Sequence, residues 1–149
     1  MLISVPVMLK PGASIPNRAT EGSSGFDLRA HLDCPQVLPS LGRMIVPTGL
    51  SISLPEGYEA QVRPRSGLAA KRGITVINSP GTIDSDYRGE IGVILVNLST
   101  DPFLVEPGER IAQLIFAKVE VPFLALSTVC GELLQTDRGA GGFGSTGTH

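Results

Sequence analysis

Glycine and proline punctuate this chain so evenly that hardly any helical window survives. Its 149 residues include 18 glycines and 12 prolines spread over the whole length, and both residues interrupt helices. Between them lie short β-branched or alternating runs, each closed by turn residues. The run "ISVPVML" places Ile3, Val5, Val7 and Leu9 on one face. "GLSISLPEG" reads as a strand ended by Pro55 and Gly57, and "YEAQVR" alternates Tyr58, Ala60 and Val62 against Glu59, Gln61 and Arg63. "ITVIN", "GVILVNL", "FLVEPG" and "RIAQLIFAKVEV" continue the series. So many short strands predict an all-β fold, a jelly-roll sandwich or barrel. One short helix is expected at "SGLAAKR", with Ser66 placed to act as its N-cap. The length fits a single domain, divided into a β core over 1–133 and a glycine-rich arm over 134–149.

Composition narrows the chemistry. A net charge of -2 without a basic run argues against a nucleic-acid surface. No apolar stretch reaches a membrane span, and the start lacks the form of a signal peptide, so a soluble, cytoplasmic protein is expected. Cys34 and Cys130 sit in no metal spacing and read as free thiols. A hydrophobic content of 42% against 17% charged residues points to apolar surface buried between subunits. Of the two histidines, His149 is terminal and His31 sits in the strand-like "FDLRAHL". Histidine-based nucleophilic sites and Cys/His zinc sites therefore lack support. Carboxylates, hydroxyls, glycines and nine arginines remain. That set suits a hard cation such as Mg²⁺ together with phosphate oxygens.

Several stretches have a composition at odds with mere structure. In "EGSSGFDLRA" a flexible loop leads into a strand carrying Asp27 between apolar neighbours, either satisfying a turn or serving a site. In "QVRPRSGLAA" a strand ends in Arg-Pro-Arg-Ser-Gly. Arg65, the Ser66 hydroxyl and the Gly67 N–H are groups that bind phosphate, although a capped helix with surface arginines would look the same. In "GERIAQLIF" a lone amide, Gln113, interrupts an apolar strand on the side of Ile111 and Ile115 and must find a partner there. "GTIDSDYRGEIGV" puts Asp84, Asp86, Tyr87 and Arg88 ahead of a buried run. Asp86 is expected to serve a turn or an ion pair, with Arg88 as a candidate partner. In "RGAGGFGSTG" five of ten residues are glycine. This is either an unstructured tail or an arm whose N–H groups converge on an anion. Phe143, with no core to join, favours the arm.

Taken in order, "GSSGFDLRA", "PRSGLAA", "INSPGTIDSDYRGEI", "GERIAQLIF" and "RGAGGFGSTG" resemble the five motifs of the all-β homotrimeric dUTPases, over nearly the whole chain. The resemblance implies hydrolysis of dUTP to dUMP and pyrophosphate, with Mg²⁺ on the triphosphate and active sites shared between subunits. Asp84 would be the general base toward water attacking the α-phosphorus. The third motif would form a β-hairpin holding the nucleoside: Asn78 and the backbone of Gly81, Thr82 and Ile83 read uracil, and Tyr87 packs on deoxyribose. Arg65, Ser66 and Gly67 of a neighbouring subunit would contact phosphates. Gln113 would sit near the α-phosphate and the water, and Asp27 would hold the metal through its water shell. From a third chain, Arg138, Gly144 and Ser145 would close over the γ-phosphate while Phe143 stacks on uracil. Trimerisation would bury strands such as "GVILVNL" on both faces. Two alternatives share the fold. A dCTP deaminase wants a glutamate base in the third motif, and a non-catalytic dUTP-binding module should have lost Asp84, Arg65 or the glycine-rich arm; neither mark is present.

Overall fold

The computed structural model describes residues 3–126 and 136–142. Among the described residues eleven strands and one helix follow in chain order: β1 (Val7–Leu9), β2 (Phe26–Arg29), β3 (Gln36–Leu38), β4 (Arg43–Pro47), β5 (Leu50–Ile52), β6 (Tyr58–Arg63), α1 (Ser66–Arg72), β7 (Ile74–Val76), β8 (Gly81–Ile83), β9 (Gly92–Asn97), β10 (Phe103–Val105) and β11 (Arg110–Lys118). The expected all-β jelly roll is what forms. All pairings are antiparallel: a four-stranded sheet β2-β11-β6-β8, a three-stranded sheet β4-β9-β7, and the two-stranded sheets β1-β5 and β10-β3. Leu28, Ala60, Val62 and Leu114 from the first sheet share one core with Val46, Ile74, Val93 and Leu95 from the second. Among the described residues, no helix is long and apolar enough to cross a membrane.

Period-2 patterning explains most of these strands. β6 buries Ala60 and Val62 while Glu59, Gln61 and Arg63 stay more open. β3 and β4 were not anticipated, because Pro35, Pro39 and Pro47 obscure their run. These prolines flank β3 or close β4, where no interior ladder N–H is lost. β1 is shorter than the run 3–9 suggests, since Pro6 interrupts it and accepts Ser53 N–H at its carbonyl instead. β9 needs no second chain for most of its burial: Val93, Leu95 and Asn97 are fully enclosed and Val96 nearly so. Val93 and Leu95 face the core shared by the two sheets, while β4 and β7 cover both edges of the strand.

The end of β9 is tied by one amide. Asn97 is 0% exposed. Its Nδ2 donates to the carbonyls of Leu38 (3.2 Å) and Asp101 (2.8 Å), and its Oδ1 accepts from Ser99 N (2.9 Å) and Ser99 Oγ (2.7 Å). Its backbone N–H donates to Gly42, and its carbonyl accepts from Leu41 N–H. A second tie braces the segment leading into β9. Glu90 accepts from Lys10 Nζ at 2.5 Å and from Gly49 N at 2.7 Å. Next to it, Thr48 Oγ1 donates to the Ile91 carbonyl at 2.6 Å, and Ile91 N donates to Leu50 O at 2.8 Å. The Lys10 hydrogen bond, helped by Gly49 N–H and the nearby charges of Lys10 and His31, lowers the Glu90 carboxyl below its ordinary 4.5 against the opposing effect of partial burial.

Two expectations follow for stability. Asn97→Ala leaves the Leu38 and Asp101 carbonyls and Ser99 N–H without their partner and should cost about 2–4 kcal/mol in denaturant unfolding. A loss under about 0.5 kcal/mol would show that water replaces the amide. Glu90→Gln keeps the shape but not the charge. Because the carboxyl is lowered in the folded state, its contribution is present above its ordinary value and fades as pH drops through the folded one. The melting-temperature deficit of the variant should therefore be visible at neutral pH and close below pH 4.5.

Candidate active site

Two clusters of polar groups stand on the sheet β2-β11-β6-β8. The first gathers where three strands run level: Gln113 of β11 pairs with Asp27 of β2 on one side and Arg63 of β6 on the other. The Gln113 amide donates from Nε2 to the Pro64 carbonyl at 3.0 Å, which supplies the partner its half-buried position demands. It lies against bare backbone at Gly25, where any Cβ would collide with its oxygen. Asp27, its side chain 14% exposed, lies between two guanidinium groups: Arg110 Nη1 donates to Oδ2 at 3.1 Å, and Arg65 Nε is 3.7 Å from Oδ1. Arg65 Nη1 also donates to the Arg110 carbonyl at 2.9 Å. Arg110 was not among the residues expected here, although its place three before Gln113 could have flagged it.

Arg65 also starts α1. It, not Ser66, is the N-cap: its backbone is extended (φ -91°, ψ 126°) and no side chain caps the helix. The physical reason lies in the tie to the Arg110 carbonyl, which keeps residue 65 with the sheet and lets helical geometry begin at Ser66. Ser66 and Gly67 are exposed, and a side chain at Gly67 would meet nothing within 4 Å.

The second cluster runs from Asn78 to Glu90. Gly81 is buried against β6, and a Cβ there would stand 3.0 Å from Asn78 Nδ2 and 3.4 Å from Val62 Cβ. Thr82 is exposed and Ile83 half-buried. Asp84 is exposed and opens a turn closed by Tyr87 N donating to its carbonyl at 3.2 Å. Tyr87 folds over Gly89, whose lack of Cβ makes the room, and its hydroxyl donates to the Glu90 carbonyl at 2.9 Å. Tyr87 as a whole stays 43% exposed. The predicted β-hairpin is not formed as such: β8 pairs with β6, while β9 lies in the other sheet, so the segment between them crosses from one sheet to the other. Arg88 does not pair with Asp86. Its Nη1 donates to the carbonyls of Ser85 (2.6 Å) and Tyr87 (2.9 Å), because the turn aims those carbonyls outward within its reach.

One chain does not bring the two clusters together. Ile83 is level with Ala60, and Asp84 follows it away from the Arg63 end of β6. Gln113 and Asp27 lie level with Arg63, and Arg65 lies beyond it. At ~3.3 Å per strand residue the separation is on the order of 13–20 Å. Of the arm, Arg138 is exposed and donates from Nε to its neighbour Gly141's carbonyl at 2.8 Å. Phe143, Gly144 and Ser145 lie outside the described residues, as does Cys130. Cys34 is free and exposed. Ile111 parts from Gln113 and turns into the core with Ala112, at a bulge in β11 between Arg110 and Ala112.

Among the described residues no group of three or more His, Cys, Asp or Glu could hold a metal ion. A magnesium ion keeps most of its waters and takes few carboxylates when phosphates share it. The single, arginine-paired carboxylate of Asp27 fits such an outer-shell contact and not direct ligation.

The dUTPase family model matches residues 12–147. The chain is 51% identical over 146 residues to the deoxyuridine 5'-triphosphate nucleotidohydrolase of Fusobacterium nucleatum, covering 97% of each. It is 54% identical over 139 residues to that of Treponema denticola, covering 93% of this chain and 94% of the relative. Its fold is similar to the Staphylococcus bacteriophage 80alpha dUTPase with dUpNHpp, at TM-score 0.81 and 25% identity over 97% of this chain and 98% of that one. It is also similar to a dUTPase of S. aureus phage phi11 that coordinates a structural Mg(II) ion, at TM-score 0.77 and 20% identity over 87% of this chain and 99% of that one. The motifs, the jelly roll and the matched span agree: this chain belongs to the dUTPase family.

Proposed function

We propose that this protein hydrolyses dUTP to dUMP and pyrophosphate in the cytoplasm, as a homotrimer whose active sites combine residues of neighbouring chains. The observation that carries the reading is the separation of the two clusters. A water-activating carboxylate must lie within hydrogen-bond reach of the water it deprotonates. Asp84 is far from the phosphate-type groups Arg65, Ser66, Gly67 and Gln113 of its own chain. Each chain carries both halves, so a symmetric ring lets the Asp84 cluster of one face the Arg65 cluster of the next. Apolar surface beyond β11 supports assembly: Val121, Phe123, Leu124 and Leu126 are each at least 86% exposed.

In the assembled site Asp84 accepts a proton from water as the water oxygen bonds to the α-phosphorus. The bond from that phosphorus to the bridging oxygen of the β-phosphate breaks in line, and pyrophosphate departs with the electron pair. Asp27 would hold the water shell of a triphosphate-bound Mg²⁺, which when present would supply neutralisation of the phosphate charge. Arg65, the Ser66 hydroxyl and the Gly67 N–H hold the phosphates; Ser66 and Gly67 are exposed at the start of α1. Gln113, locked by Pro64, orients the water beside the α-phosphate. Positioning and charge neutralisation of this kind dominate phosphoryl transfer.

Specificity comes from the segment 78–87. Asn78, with the backbone of Gly81, Thr82 and Ile83, reads the uracil edge; the amino group of cytosine would meet donors. Gly81 brings backbone close to ring C5 and refuses the methyl of thymine. The Tyr87 ring, fixed by its bond to Glu90, offers deoxyribose an apolar face on which a 2′-OH finds no partner, costing roughly 1–3 kcal/mol. Arg138, Gly144 and Ser145 of a third chain close over the γ-phosphate with Phe143 on the base, excluding bulk water.

The test is pyrophosphate release in Mg²⁺ from dUTP, dTTP, dCTP and UTP. Turnover of dUTP alone is expected, and Asp84→Asn should lower kcat roughly 10²–10⁴-fold with an unchanged melting curve. Ammonia released from dCTP would instead place the chain with the deaminases. Gly25→Ala probes Gln113 from behind: the added methyl meets side chains, the Gln113 amide and Ile115 Cδ1 at 3.1 Å, and not backbone. It should cut kcat at least about tenfold while changing stability by less than about 1 kcal/mol. Unchanged kcat would remove Gln113 from the mechanism.

A further inference from the structure

The geometry points to Arg110 as a positioning residue, turned into the phosphate cluster by a β-bulge, whose task is to keep Asp27 from capturing Arg65. The inference rests on the dUTP reading above and names a residue that reading does not use. Along β11, Gln113 pairs with Asp27 and Ala112 with Leu28, but the next partner of β2, Arg29, pairs with Arg110. One residue, Ile111, is therefore extra. Strict alternation from Gln113 would put Ile111 on the open face and Arg110 in the core. The extra residue reverses this: Ile111 and Ala112 are both buried, at 1% and 0% exposure, and Arg110 emerges beside Asp27. Bulges commonly re-aim a side chain in this manner.

Arg110 then does two things. Its Nη1 donates to Asp27 Oδ2 at 3.1 Å, and its carbonyl takes Arg65 Nη1 at 2.9 Å. Arg65 Nε is left at 3.7 Å from Asp27 Oδ1, a long contact. The other arginine on this strand pair, Arg29, is engaged with the Gly108 carbonyl at 2.8 Å and does not compete. A carboxylate only 14% exposed attracts a guanidinium more strongly than one in open water. With Arg110 in place, Asp27 is already neutralised and Arg65 can turn its remaining N–H groups to phosphate. Without Arg110, Asp27 closes the 3.7 Å gap and draws Arg65 out of the phosphates' reach.

The experiment measures Kd for dUpNHpp and for dUMP by calorimetry, with EDTA present so that no metal bridges Asp27 to the phosphates. Arg110→Gln should weaken dUpNHpp binding roughly tenfold, the scale of one charge-assisted hydrogen bond. It should leave dUMP, which lacks the β- and γ-phosphates, within about twofold. Adding Asp27→Asn to Arg110→Gln should recover most of the loss, since the competitor is gone. Equal losses for both ligands would mark a merely structural residue and overturn the inference, as would additive effects of the two substitutions. Should Arg110→Gln not fold, Arg110→Lys reads the same quantity: it keeps the charge but not the fork, and should lose roughly two- to fivefold on dUpNHpp alone. Unchanged dUpNHpp affinity in that variant and its Asp27→Asn double would count against the role. Wild-type chain that fails to bind dUpNHpp even with Mg²⁺ restored would overturn the dUTP reading itself; wild-type binding matched by Arg110→Gln would overturn only the role of Arg110.

Discussion

The register of β11 is the constraint on which the rest of the molecule depends. This strand is the longest, runs between β2 and β6, and sets which side chains of three strands share a face. Side chains alternate every residue, so a slip by one position would send Gln113 into the core and Leu114 out of it. Leu114 and Ala112, both buried, oppose such a slip through the hydrophobic effect. The same register places Asp27, Gln113 and Arg63 level with one another. Core packing and the position of the polar cluster are thus two consequences of one alignment.

The single irregularity in that alignment is also where charge gathers. At Ile111 the ladder takes in an extra residue, and past it Arg110 joins the open face. Asp27 ends up between two guanidinium groups on the open face of β2, opposite the core-facing Leu28. A half-buried carboxylate without such partners would be costly to desolvate, so the bulge makes the acid tolerable as well as useful. Elsewhere the polar groups of the core are handled by saturation. Asn97 satisfies all its amide valences on backbone and Ser99, and thereby joins β9 to the loops around Leu38 and Asp101.

The segment from Asn78 to Glu90 owes its shape to what lies beneath it. Glu90 is pinned by Lys10 and Gly49, Ile91 by Thr48 and Leu50, and Tyr87 hangs from the Glu90 carbonyl. A nucleotide meeting Tyr87 would meet a ring already oriented, which reduces the ordering cost of binding. Lys10, just past β1 and remote in sequence, therefore contributes to the exposed turn at Asp84.

Much of this is legible in the sequence alone. Alternation in "YEAQVR", the apolar run of β9 and the glycine and proline spacing determined an all-β fold, because side-chain period and helix-breaking residues are local properties. The residue types at Asp84, Tyr87, Arg65 and Gln113 likewise marked where chemistry could reside, since apolar packing does not call for them. Local pattern was silent on what depends on partners distant along the chain. Prolines hide β3 and β4, residue type alone does not distinguish Arg110, and Ser66 has the residue type of a cap whose place Arg65 takes once its side chain reaches the Arg110 carbonyl. Only the tertiary structure decided that β8 and β9 part into different sheets and that Asp84 and Arg65 stand at opposite ends of β6. The reason is physical: residue type and period are written along the chain, whereas register, bulges and distance arise only when strands far apart in sequence exchange hydrogen bonds.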